Sequence, residues 1–111
     1  MGKHPNDRLQ GTLDLLVLKI LDAQGAMNGY SITLRVEQIS KNALRLEEGS
    51  LYPALHRMAQ SGWLKAEWGV SENNRRARFY TLTAAGRKQL REEEQHWAQL
   101  TEAVARVLRF A

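Results

Sequence analysis

The apolar positions of this chain change their period twice. Leu13, Leu16, Val17, Ile20 and Leu21 recur at the i, i+3, i+4, i+7, i+8 spacing of a core-facing helix. Leu15 and Leu18 carry the apolar character nearly all the way round, which predicts contacts on more than one side. Thr12 is placed to cap this first helix, Asp14 falls in its first turn, and Gly25 is its stop. A second helix is expected from Asn28-Gly29-Tyr30, with Asn28 as N-cap and Ile32, Val36 and Ile39 as its buried stripe. It ends at Ser40-Lys41-Asn42. In the connection Ala43 to Glu47, Leu44 and Leu46 suit a brief edge strand. A third helix follows, with Leu51, Leu55 and Met58 at i, i+4 and i+7. It ends at Ser61-Gly62. Pro53 is harmless only in a first turn, so the helix is expected to start near Ser50, with Ser50 as its cap.

The period then drops to two. Leu64, Ala66, Trp68 and Val70 alternate with Lys65, Glu67 and Gly69, which predicts a half-buried strand. Ala77 to Leu82 is a second strand, and pattern alone leaves open which of its faces is buried. Ser71 to Arg76 between them contains Asn73-Asn74, residues that tolerate a left-handed turn, so the pair forms a hairpin. From Thr83, a good N-cap, helical spacing returns and holds almost to the C-terminus. Leu90, Trp97 and Val104 are spaced by seven, as are Leu100 and Val107, the pattern of a helix–helix seam. Glu93 interrupts it at a d position.

These elements divide the chain into an N-terminal arm (1–10), a helix-helix-helix-hairpin unit (11–83) and a C-terminal dimerisation helix (84–111). The expected class is mainly α with a small β-hairpin. A length of 111 residues suits one modest core. The absence of cysteine excludes disulfides, thiolate zinc sites and cysteine nucleophiles. No apolar run is long enough for a membrane span, and Met1 to Gln10 carries no apolar signal core, so a cytoplasmic protein is expected.

Charge adds direction. The net charge is +4 and the pI about 9.8, compatible with a polyanionic partner. Off the apolar stripe of the third helix lie Ser50, Tyr52, Pro53, His56 and Arg57, hydrogen-bonding, aromatic and cationic groups around one proline. Arg75 and Arg76, with Arg78 just beyond, make the hairpin tip cationic. Three helices followed by a basic hairpin is the order of a winged helix-turn-helix. In that fold the third helix enters the major groove and the wing lies on backbone or minor groove.

The chain resembles the PadR family of bacterial transcriptional regulators. The resemblance rests on Gly11 to Leu18, Gly29-Tyr30-Ser31-Ile32, Glu48 to Arg57, Gly62-Trp63-Leu64 and Asn74 to Gly86. It is carried most specifically by Gly-Ser-Leu-Tyr-Pro and Tyr-Thr-Leu-Thr-Ala-Ala-Gly, and within the family it is to the short subgroup with a single C-terminal helix. It implies a homodimeric, usually repressing, regulator on a two-fold duplex DNA operator. By motif position it implies that Ser50, Tyr52, Pro53 and His56 face DNA and that Arg75, Arg76 and Arg78 form the wing. Arg57 has the chemistry of a guanine reader, and equally that of a surface ion pair. Leu90, Trp97, Leu100, Val104 and Val107 would form the dimer seam. Trp97 is either an interface anchor or a stacking platform for a planar small-molecule effector, as in multidrug-sensing relatives.

Other classes fare worse. His4, His56 and His96 are scattered. Glu92 and His96 sit at i, i+4, but a metal site needs more ligands than that pair. No cofactor, phosphate loop or nucleophile motif is indicated, and no enzyme. The alternative is a winged helix used only for protein interaction, which would not need three arginines in the wing.

Overall fold

Each change of period becomes a change of element. The computed structural model describes residues 5–110, as α1 (Pro5–Gln24), β1 (Met27–Asn28), α2 (Gly29–Ile39), α3 (Glu48–Gln60), β2 (Leu64–Val70), β3 (Arg76–Leu82) and α4 (Ala84–Phe110). Helix α1 begins at Pro5 rather than at Thr12, so Thr12 and Asp14 lie inside it and part of the expected arm is helical. Proline at a first helical position loses no bond. One internal glycine, Gly11, costs about 1 kcal/mol against alanine, too little to end a helix that packing supports further along. Residues 1–4, with His4, lie outside the described residues.

Helix α2 opens as its sequence dictates: Asn28 Oδ1 accepts the Ser31 amide at 2.8 Å. Ile32 and Val36 are buried, but Ile39 is 55% exposed because the helix runs past the edge of the core at its last residue. No edge strand forms at Leu44 and Leu46. Lys41 and Asn42 take positive φ, and the Ser40 hydroxyl accepts the Leu44 amide at 3.0 Å, which winds this segment into a turn. The third strand is instead Met27–Asn28, paired antiparallel with β3 at Met27↔Tyr80 in a sheet of order β1-β3-β2. Two residues are too few to show a period.

Helix α3 starts at Glu48, and Ser50 is not its cap. The Glu47 carbonyl takes the Ser50 and Leu51 amides, so Ser50 lies in the first turn and Pro53 one turn further in. Pro53 forgoes a backbone bond on the exposed side. The inner face carries Leu51, Ala54, Leu55 and Met58, all almost fully buried against Val17, Leu18 and Leu21 of α1 and Ile32 of α2.

The hairpin pairs Leu64↔Leu82 at its base and Val70↔Arg76 at its tip. Directly opposed residues share a face, so Leu64, Ala66, Trp68 and Val70 lie on the side of Leu82, Tyr80, Arg78 and Arg76. Only the base of that face is covered. Leu64, Tyr80 and Leu82 are buried, while Trp68 and Val70 are exposed, contrary to the expected half-buried strand. The two strands are longer than the core beneath them, and their far half projects. On the opposite face Phe79 fills the space over Gly69, where a Cβ would come within 2.8 Å of its ring.

Thr83 caps α4, accepting the Gly86 amide at 3.0 Å, and its hydroxyl also lies 2.6 Å from the Gly62 carbonyl. The first turns of α4 belong to the core through Gly86 and Leu90. Lys19 and Glu94 then pair at 3.2 Å between α1 and α4. Beyond that the helix extends outward. The radius of gyration is 15.3 Å, against about 13 Å for a compact chain of this length.

Candidate nucleic-acid interface

Burying Leu51, Leu55 and Met58 turns the opposite side of α3 to solvent. Ser50, Tyr52, Pro53 and His56 are all exposed on it. Tyr52 is fixed in place, because its ring lies directly on Gly29 at the start of α2. A Cβ there would come within 2.7 Å of the ring. Partial burial, then the negative charge of Glu48, then Tyr80 raise the Tyr52 phenol above its ordinary value of 10.0. It therefore keeps its proton throughout the neutral range and can donate a hydrogen bond.

Arg57 does not join this face. Its guanidinium bonds Asp14 of α1 at 2.7 Å, and Asp14 is buried. Of the two roles left open by the sequence, the ion pair is present within the protomer, with the guanidinium still partly exposed. The partner was legible only in three dimensions, since Asp14 and Arg57 are 43 residues apart.

The wing is built by its turn. Asn74 takes φ 58°, the Ser71 amide donates to the Arg75 carbonyl at 2.8 Å, and the Asn74 amide to the Ser71 carbonyl at 2.9 Å. Arg75, Arg76 and Arg78 are all exposed. Trp68 lies under two of them, with the Arg76 guanidinium 4.4 Å and that of Arg78 5.4 Å from the ring centroid. The sequence did not offer this register. A two-residue turn at Asn73-Asn74 would set Trp68 opposite Phe79, whereas the observed loop, closed between Ser71 and Arg75, shifts the pairing by one and sets Trp68 opposite Arg78. Between the wing and the body runs a cleft of about 590 Å³, with Asn28, Gly29 and Tyr52 on one side and Trp68, Arg76 and Arg78 on the other.

The profile of the transcriptional regulator PadR-like family matches residues 17–92. The chain belongs to that family. The transcriptional regulator Rv3488 of Mycobacterium tuberculosis is 35% identical over 68 residues, 61% of this chain and 63% of that protein. A transcriptional regulator from Clostridium thermocellum shares the fold at a TM-score of 0.80, covering 90% of this chain and 96% of that one at 24% identity. A PadR family transcriptional regulator from Eggerthella lenta gives 0.73 at 29% identity, over 93% and 88% of the two chains. The PadR fold is thus mainly helical, with a three-stranded sheet, a wing and a C-terminal helix.

The seam residues of this PadR-like chain divide. Leu90 is 3% exposed and packs in the protomer's own core, so it is removed from the candidate dimer surface. It meets α1 and the sheet first because it lies in the part of α4 that crosses them. Trp97, Leu100, Val104 and Val107 are exposed at 46%, 55%, 47% and 69%, along the projecting part. Glu92 and His96 are exposed beside them, and among the described residues no three His, Asp or Glu side chains gather as a metal site. Among the same residues no helix is long and apolar enough to cross a membrane.

Proposed function

We propose that this PadR-like protein is a cytoplasmic homodimeric repressor that binds a two-fold duplex DNA operator. The observation that carries the reading is the cleft itself. Tyr52 of α3 and the start of α2 at Asn28, Gly29 and Tyr30 line one side of it, and the exposed arginines Arg75, Arg76 and Arg78 the other. Free amide groups at a helix start and arginine side chains both favour phosphate. Ser50, His56 and the wing arginines suit backbone contacts. Tyr52 donates to a phosphate or packs on a thymine methyl, and Pro53 fits against the groove wall. The exposed stripe Trp97, Leu100, Val104 and Val107 supplies the two-fold contact. Two-fold proteins read palindromes whose half-sites lie about one helical turn apart. A planar effector stacked on Trp97 at that contact would alter the spacing of the two α3 helices and release DNA.

Fluorescence anisotropy on the DNA upstream of the protein's own gene, against scrambled DNA across a salt series, tests the reading. Tight, salt-dependent and sequence-selective binding is expected. Equal and weak binding to both DNAs would remove an operator beside its own gene and leave either a distant operator or a protein-binding winged helix.

A further inference from the structure

Trp68 has no role in the core. It is 58% exposed, although its strand begins buried at Leu64. A single exposed aromatic needs no explanation by itself, and what sets this one apart is what lies over it. What covers it here is charge: Arg76 and Arg78, neighbours on one face of β3, both lie over the indole. Indole is the best cation–π partner among the side chains.

The geometry has a chemical consequence. A guanidinium stacked on a ring uses its flat face. Its five N–H donors lie in the plane and stay available at the edge, which is the part that meets a phosphate. Two arginines this close on one strand repel each other and lose rotamer freedom when a phosphate fixes them. A ring beneath both offsets the repulsion and removes part of that freedom in advance. The same ring lines the cleft whose other side is Tyr52 and Gly29, so the donors are held at the mouth of that cleft.

We infer that Trp68 is a positioning residue, an indole platform that pre-sets the Arg76 and Arg78 guanidiniums for a DNA phosphate across the cleft from Tyr52. The inference rests on the DNA-binding reading above, and it adds a residue that acts through the arginines rather than on DNA itself.

The test is a double-mutant cycle on a duplex of arbitrary sequence, since phosphate contact does not depend on the operator. Trp68→Leu should weaken binding about tenfold and Trp68→Phe only about threefold. In an Arg76→Gln/Arg78→Gln background, Trp68→Leu should have no further effect. Trp68 is outside the core, so the variants keep the fold, and their melting temperatures check this. In nitrogen-15 spectra of the uncomplexed protein, the Arg76 and Arg78 Nε–H resonances should carry a ring-current shift that Trp68→Leu abolishes. If Trp68→Leu is equally damaging without the arginines, the indole acts on DNA or on the fold, and the inference falls while DNA binding stands. Absent ring-current shifts would overturn it too. If the wild-type protein does not bind duplex DNA at all, the DNA-binding reading falls, and this inference with it.

Discussion

At the scale of single residues, two close approaches decide how α3 is held. Arg57 and Asp14 join α3 to α1 through a bond of 2.7 Å, with the carboxylate buried and the guanidinium partly exposed. Removing the cation leaves a buried charge short of its partner. Arg57→Ala should therefore destabilise the fold by about 1–3 kcal/mol, at the low end for a buried pair because one partner touches water. Urea denaturation reads this directly, and an unchanged midpoint would show the pair to be dispensable. Gly29 makes the second close approach. A methyl group there meets the far edge of the Tyr52 ring rather than backbone, so the ring, and not the helix, should move. Gly29→Ala is expected to leave the melting temperature within a few degrees while weakening DNA binding by about fivefold, the value of roughly one neutral hydrogen bond. A normal affinity would remove Tyr52 from the DNA-facing surface.

At the scale of elements, α4 is two helices in one. Its first part, with Gly86 and Leu90, completes the protomer's core; its second part carries an apolar stripe that is exposed among the described residues. The two parts predict different phenotypes. Leu90→Ala should cost about 2–5 kcal/mol of protomer stability, as cavity-forming core substitutions do, measured by denaturation. Trp97→Ala, Leu100→Ala and Val104→Ala combined should leave the protomer folded and shift light scattering from dimer to monomer. A dimer that survives them would place the interface elsewhere. The heptad spacing that joins Leu90 to Trp97 and Val104 could not separate these roles. Spacing says which residues share a stripe, not which surface covers it.

At the scale of the whole molecule, charge and shape work together. A wing that stands off the core and a helix that extends from it give a chain 54 Å long and 29 Å across. The extended helix suits pairing of two copies, and the wing sets arginines beside the recognition face. Arg75→Ala with Arg76→Ala should lower affinity about equally on all DNA sequences. It should also flatten the dependence on salt by about one unit for each phosphate that no longer meets an arginine. An unaltered slope would show that the wing touches no phosphate.

The sequence alone determined the order of the main elements, the inner stripe of α3, the caps Asn28 and Thr83 and the cationic turn. All of these are local: they depend on periodicity, capping groups and turn residues within a few positions of one another. Tertiary structure decided what distance along the chain conceals. It paired Arg57 with the distant Asp14, enclosed Leu90 and left Trp68 and Ile39 in solvent. It also set two arginines over an indole. In each case the deciding quantity is where the core ends. That boundary follows from how long each helix and strand is relative to the others packed against it, which no single stretch of sequence contains.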